Sequence, residues 1–130
     1  MQLFLAKNPS SFNNNLDLFV NTLHPDTLLF ILNDEVRDGR DISWIYDIEP
    51  AKIKKACEGK NIYVSGLRYL DMAVRLKYAG VEVPSDHLFP HIVATIHHMK
   101  SSGMVKEVVA LPNYSAMLEL RKVLTGKEIL

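Results

Sequence analysis

The sequence predicts an α/β fold in which a mostly parallel sheet lies between two layers of helices. Three observations carry this prediction. Short apolar segments alternate along the chain with segments of helical periodicity. One short segment, residues 27–32, is apolar beyond its first residue, which is typical of a strand covered on both faces. At 130 residues, 48% hydrophobic and 23% charged, the chain has the size and composition of one domain.

The first half of the chain contains three predicted strands, at residues 2–6, 27–32 and 61–64. A first helix begins at Ser10 or Ser11, either of which can act as its N-cap, and its apolar positions run from Phe12 to Leu23. A second, short helix spans residues 51–58, and Gly59 is expected to end it.

The second half begins with a tight strand-to-helix turn at residues 65–68. The helix that follows runs to residue 79, with Leu67, Leu70 and Met72 among its inward positions and Arg75 facing solvent. Ser85 or Asp86 is expected to cap a helix that continues through residue 100. A strand at residues 107–111 and a helix at residues 115–124 complete the chain. Crossovers between the parallel strands should be right-handed.

Four polar turns are expected at the carboxyl ends of the strands, where ligands bind in open α/β sheets. They are residues 7–8, 33–47, 65–68 and 112–114. The rim loop, which we define as residues 33–47, combines four aspartates with Trp44 and Tyr46. Loops carry function more often than their share of the chain suggests. Two interpretations remain open: a functional edge of the domain, or a solvated, salt-bridged loop with Trp44 in the core.

Composition excludes several classes of function. The formal net charge is zero, which gives no electrostatic reason to expect nucleic acid or an anionic membrane as partner. Cys57 is the single cysteine, so neither an internal disulfide nor a cysteine zinc site is expected, and the reducing cytoplasm is compatible. No apolar segment approaches the roughly 20 residues of a membrane span. His87 and His91 are a possible metal pair on one helix face, but nothing completes it, so we expect no metal site.

Neither nucleotide-binding fingerprint occurs in the chain, because the P-loop pattern and Gly-x-Gly-x-x-Gly are both absent. Ser65 and Gly66 at a helix N-terminus, with Arg68 adding charge, are able to receive an anion, or they merely form a turn. A rim-loop carboxylate is also able to orient a histidine as the acid of a nucleophile–His–acid triad. No nucleophile with a nearby histidine is evident, so such partners would come from another chain.

Recognisable motifs extend over nearly the whole chain, and two of them, at residues 38–44 and 114–121, are specific. The motifs are Ala6-Lys7-Asn8-Pro9, Asp38-Gly39-Arg40-Asp41-x-Ser43-Trp44-x-x-Asp47, Val64-Ser65-Gly66-x-Arg68, Asp71-Met72-Ala73-x-Arg75-Leu76-Lys77-Tyr78-Ala79-Gly80 and Tyr114-x-Ala116-Met117-Leu118-Glu119-Leu120-Arg121. These motifs resemble the C-terminal domain of MurT, the Mur-ligase-like subunit of lipid II isoglutaminyl synthase. Tyr46 stands where the family motif leads us to expect tryptophan.

The resemblance implies a Rossmann-like sheet of the Mur ligase C-terminal type. It implies amidation of the lipid II D-glutamate to D-isoglutamine in the cytoplasm, with ATP and Mg²⁺ serving the complete ligase. Ammonia would come from glutamine through a separate, GatD-like glutaminase subunit. The family's ATP-binding central domain and zinc ribbon are absent from this chain. Residues 1–130 therefore correspond to a single domain, either excised from a longer ligase or a stand-alone relative, that should bind neither ATP nor Mg²⁺ and form no amide alone.

The resemblance also suggests roles for individual residues. Asp41 is the expected triad aspartate. The expected substrate- or nucleotide-binding residues are Lys7, Asn8, Asn33, Ser65, Gly66 and Arg68, and the expected contacts with the glutaminase are Asp38, Arg40, Trp44 and Asp47. The alternative is a protein-interaction module without a catalytic role, in which Trp44 and Tyr46 act as interface anchors.

Overall fold

Five parallel strands form the centre of the fold in a computed structural model, which describes residues 1–126. Their order in the sheet is β1-β5-β2-β3-β4, and each pair of neighbours runs in the same direction. The strands are β1 (Gln2–Leu3), β2 (Thr27–Ile31), β3 (Asn61–Ser65), β4 (Leu88–Phe89) and β5 (Val108–Pro112). Hydrogen bonds from Phe4 and Ala6 to β5 extend the pairing of β1. The predicted α/β fold class is confirmed.

Helices cover both faces of the sheet and complete the three layers. They are α1 (Pro9–Leu18), α2 (Pro50–Cys57), α3 (Tyr69–Tyr78), α4 (Ile92–Ser101) and α5 (Tyr114–Thr125). α1, α2 and α3 pack on one face through a shared apolar cluster, and α4 and α5 pack on the other. A π-helical segment, Phe19–Leu23, extends α1 and ends at His24 in the left-handed conformation. No helix within residues 1–126 has both the length and the apolar character to span a membrane.

β2 is the central strand, and its sequence explains its position. All five of its residues are buried, and it pairs with β3 on one side and β5 on the other. Phe30 stacks against Phe12 of α1, while Leu29 and Ile31 face the opposite cluster. Burying each of these side chains contributes about 1.5–3 kcal/mol. The rim loop therefore starts from a rigid strand end.

The N-terminus of α1 differs from the prediction. Its N-cap is Asn8, rather than Ser10 or Ser11. The Asn8 side chain accepts the Ser11 backbone N–H at 2.8 Å, and the Ser11 hydroxyl accepts the Asn8 N–H at 3.3 Å. Pro9 occupies the first helical turn, where its missing N–H costs nothing. The usual capping box has Glu or Gln as its second member, and here Ser11 takes that place, so the sequence does not show the usual pattern.

The predicted helix from Ser85 or Asp86 to residue 100 is wrong in its first half. Residues Ser85–His87 form a single 3-10 turn, and Leu88–Phe89 then add the edge strand β4 to β3. Pro90 separates this strand from α4, which begins after the N-cap His91. The two-residue strand is too short to produce an alternating pattern in the sequence.

The orientation of α3 also differs from the prediction. Arg75 was expected to face solvent, but it is 4% exposed. Leu67 and Leu70 were expected to face the core, but they are 61% and 56% exposed. The inner face is formed by Met72, Arg75 and Leu76, because the end of the rim loop and Ile48 fold over α3 and provide carbonyl partners for the guanidinium group.

Candidate functional site

The carboxyl ends of β2 and β5 form the topological switch point of this sheet. The two strands are neighbours, yet the helix after β2 packs on one face and the helix after β5 packs on the other. Chain connections that diverge in this way leave a crevice outside the strand ends, which is where such folds bind ligands. Asn33 and Asn113 are the first residues at this crevice.

A buried hydrogen-bond network ties the strand ends together at the switch point. The Asn33 N–H donates to Asn113 Oδ1 at 3.2 Å, and Asn113 Nδ2 donates to the Asn33 carbonyl at 2.8 Å. The Asn33 side chain accepts the Leu67 N–H at 2.9 Å and donates to Ser115 Oγ at 3.3 Å. Asn33 and Asn113 are 4% and 5% exposed. Both ends of the Asn33 amide are therefore occupied by the protein itself.

The Ser65–Arg68 turn packs tightly against the same network. Gly66 has a φ of +107°, and a Cβ at this position would lie 2.5 Å from the Leu32 carbonyl oxygen and 2.9 Å from Asn33 Oδ1. Only glycine tolerates both the conformation and the close approach. The Ser65 hydroxyl is fully buried and lies 3.0 Å from the Thr95 hydroxyl. The predicted anion-binding turn is thus held by internal contacts.

Arg68 is half-exposed at the start of α3 and forms two ion pairs. Its Nε lies 2.7 Å from Asp71 and its Nη1 lies 3.1 Å from Asp34. Hydrogen bonds to Asp71 and then Asp34 raise the pKa of the Arg68 guanidinium. This arrangement attaches Asp34, the first acid of the rim loop, to α3.

A cavity of about 380 Å³ lies beside the switch point. It brings together residues from three of the predicted turns, and its lining includes Lys7, Asn33, Asp38, Trp44 and Asn113. Asn8 is adjacent in sequence, but its side chain caps α1. Trp44 is half-buried and its ring packs 6.3 Å from that of Phe12. The predicted convergence of polar turns is therefore visible in the geometry.

The four aspartates of the rim loop have different environments. Asp34 pairs with Arg68, and Asp38 accepts hydrogen bonds from Ser115. Asp41 and Asp47 are exposed, as is Arg40. Asp41 accepts the Ser43 N–H at 2.9 Å, and this bond, together with one from the Ser43 hydroxyl, lowers the pKa of Asp41. Asp41 thus presents an ionised, oriented carboxylate at the surface.

Arg75 is a residue of this region that the sequence analysis placed incorrectly. Its Nε donates to the Ile45 carbonyl and its Nη2 to the Ile48 carbonyl, both at 2.7 Å. Its guanidinium carbon lies 5.4 Å from the centre of the Tyr46 ring. Burial lowers the pKa of Arg75. Its position three residues after the buried Met72 was an available sign that it lies on the inner face.

The histidines do not form the helix-face pair that their spacing suggested. His87 lies in the 3-10 turn, where its ring stacks 4.0 Å from that of Tyr63. His91 is the N-cap of α4 and lines a second cavity, of about 640 Å³, between α4 and α5. Within residues 1–126, no cluster of three or more His, Cys, Asp or Glu side chains is arranged to hold a metal ion.

Comparison with known proteins identifies the family. The family model for the MurT ligase C-terminal domain matches residues 5–117. The MurT subunit of lipid II isoglutaminyl synthase (glutamine-hydrolyzing) from Staphylococcus aureus strain COL is 37% identical over 113 residues, covering 87% of this chain and 25% of the relative. The subunit of the same name from Streptococcus pneumoniae strain R6 is 28% identical over 130 residues, covering 98% of this chain and 28% of the relative.

The chain spans about a quarter of the length of these relatives. The family match includes the switch point, the rim loop and the first turn of α5. The family match over residues 5–117 and the parallel α/β sheet support the same assignment. The chain belongs to the MurT ligase C-terminal family.

Proposed function

We propose that this chain is the C-terminal domain of a cytoplasmic ligase subunit that amidates the D-glutamate of lipid II with ammonia released from glutamine. In this proposal the rim loop docks a glutaminase subunit, and Asp41 becomes the acid of that subunit's catalytic triad. The relatives are named as glutamine-hydrolyzing lipid II isoglutaminyl synthase subunits, which supports both the reaction and the presence of a glutaminase activity.

The environment of Asp41 is the observation that carries the proposal. Among the rim-loop aspartates, Asp34 and Asp38 are engaged within the domain and Asp47 is exposed, whereas Asp41 is both exposed and oriented by Ser43. A triad acid must hold a histidine ring in the correct tautomer and stabilise its positive charge, which requires an ionised carboxylate in a defined direction. The hydrogen bonds from Ser43 that lower the pKa of Asp41 also fix the direction of its carboxylate.

This domain by itself is poorly suited to bind ATP. The chain contains no P-loop, and in the Ser65–Arg68 turn the Ser65 hydroxyl and the Leu67 and Arg68 N–H groups bond within the domain. We therefore assign the binding of ATP and Mg²⁺, which would activate the carboxylate, to a separate central domain. Lys7 and Arg37 both line the cavity beside the switch point, so this cavity offers two cations to an anionic substrate.

Glutamine hydrolysis by the assembled ligase and glutaminase tests the proposal. Asp41→Asn keeps the size of the side chain and removes its charge, and we expect kcat to fall by about 10⁴-fold, as when a triad loses its orienting acid. Glu58→Gln, an exposed acid-to-amide change outside the rim loop, is the control and should leave kcat unchanged. Hydrolysis by Asp41→Asn at the parental rate would refute the role of Asp41.

A second candidate function is an interaction module without a catalytic role. The exposure of Tyr46, 51%, beside an even more exposed Tyr78 favours it, because large exposed rings are common interface anchors. The two functions separate experimentally. If the loop only docks, Tyr46→Ala should weaken complex formation in a pull-down or calorimetric titration, while Asp41→Asn leaves hydrolysis intact.

A further inference from the structure

We propose that Asp38 is a positioning residue that fixes the rim loop, and with it Asp41, against the first turn of α5. This inference rests on the proposed function and deepens it. The resemblance suggested Asp38 as a contact with the partner protein. Its hydrogen bonds point instead to an internal anchor.

Asp38 supplies the cap that α5 does not obtain from its own N-cap residue. The N-cap, Asn113, makes no side-chain capping bond because its amide is engaged with Asn33. Asp38, 77 residues away, accepts the Ser115 N–H at 2.8 Å and also accepts a short hydrogen bond from the Ser115 hydroxyl. A carboxylate is favoured at a helix N-terminus both by the free N–H groups and by the helix dipole.

The same serine holds both ends of a short segment of the rim loop. Ser115 Oγ accepts a hydrogen bond from Asn33 and donates one to Asp38, so residues 33 and 38 meet at one buried hydroxyl. Within the segment, the Glu35 N–H donates to Asp38 at 3.2 Å. The outward tip of the segment is Val36, which is 77% exposed.

Asp41 lies between two positions of the chain that are fixed by hydrogen bonds. On its N-terminal side, Asp38 is fixed to Ser115, and Gly39 follows with a φ of +79°. On its C-terminal side, the Ile45 carbonyl is held by Arg75. Only six residues, 39–44, separate the anchors, so the location of Asp41 depends on both. A displacement of about 1 Å at a catalytic group is able to reduce a rate by about 10²-fold.

The chemistry of the anchor requires a carboxylate. An ionised aspartate is an acceptor only, and here it receives bonds from three donors. Asparagine has a similar shape but a single acceptor oxygen, and its NH₂ group would face one of these donors. Asp38→Asn should therefore release the loop from α5 without removing any apolar contact.

The test compares Asp38→Asn, Ser115→Ala and the control Glu58→Gln, an exposed site outside the rim loop, in the assembled ligase–glutaminase complex, by glutamine hydrolysis and by amide hydrogen exchange. We expect Asp38→Asn to lower kcat by about 10- to 100-fold with KM for glutamine nearly unchanged, since the loop is displaced and the substrate site is not. Exchange should accelerate at the Ser115 amide and across residues 35–43. Ser115→Ala, a smaller change, should reproduce part of both effects, and Glu58→Gln should reproduce neither.

Two outcomes would overturn the inference, and they are distinguishable. If Asp38→Asn and Ser115→Ala retain the parental kcat and exchange rates while Asp41→Asn is inactive, Asp38 has no positioning role although the proposed function stands. If Asp41→Asn is itself fully active, the proposed function fails, and the positioning role fails with it. Should Asp38→Asn not fold, the Ser115→Ala measurements decide alone.

Discussion

Replacement of Arg75 by methionine should be among the most destabilising single changes on α3. The guanidinium makes two hydrogen bonds of 2.7 Å to the Ile45 and Ile48 carbonyls. A hydrogen bond to a charged group contributes about 1.5–3 kcal/mol, so two contribute about 3–6 kcal/mol. Methionine retains most of the apolar stem, which offsets part of this loss. We therefore expect the free energy of unfolding to fall by about 3–5 kcal/mol, a large share of the 5–15 kcal/mol typical of a domain.

Urea denaturation followed by two signals provides the assay. Trp44 is the single tryptophan of the chain and lies in the rim loop, so its fluorescence reports the segment that Arg75 holds, while far-UV circular dichroism reports the whole fold. Arg75→Lys should give an intermediate loss, because one ammonium group cannot reproduce the planar fork of a guanidinium. Lys77→Met, on the exposed side of the same helix, is the control. A loss below about 1 kcal/mol for Arg75→Met would refute the assigned anchoring role.

Three further predictions concern other parts of the structure. Gly66→Ala should reduce the free energy of unfolding by at least about 2 kcal/mol in urea titrations. Gly80→Ala should cost less, because Gly80 has a similar φ but a Cβ there would meet no atom closer than 3.5 Å, and equal losses would exclude the close approach as the cause. Partial burial raises the pKa of Asp26, but hydrogen bonds from Thr27 and from the backbone of residues 106–107 outweigh it and leave the pKa lowered. Asp26→Asn should therefore reduce the free energy of unfolding at neutral pH, and by progressively less as acid protonates Asp26 in the parent protein. A loss that does not depend on pH would contradict this. Burial raises the pKa of Cys57 to about 12, so iodoacetamide should alkylate the folded chain far more slowly than the urea-unfolded chain, and equal rates would contradict this.

Sequence reasoning succeeded where local patterns decide the structure. The apolar segment at residues 27–32 identified the central strand because its burial on both faces leaves no alternation. Turns were located by their polar residues, and their meeting at one edge followed from parallel strand direction alone. The sequence did not predict β4, because this two-residue strand depends on its pairing with Val64 and Ser65 and is too short to show a pattern of its own.

The details of the candidate site depend on contacts between distant residues. Arg75 is buried because carbonyl groups 27 and 30 residues earlier in the chain fold over it. Asp38 is engaged because Ser115, 77 residues away, starts a helix whose N-cap is used elsewhere. The spacing of residues along the sequence does not indicate such contacts between distant residues. For this reason the sequence drew attention to the rim-loop aspartates but did not show that Asp38 is bonded to Ser115 while Asp41 is exposed.

The most direct test of the central claim is an experimental structure of the complex between this domain and the proposed glutaminase subunit. We predict that a carboxylate oxygen of Asp41 lies within about 2.6–3.2 Å of a ring nitrogen of the glutaminase's catalytic histidine. We also predict that Asp38 remains bonded to Ser115 in that complex. A structure in which Asp41 still faces solvent, or in which another acid reaches that histidine, would contradict the claim.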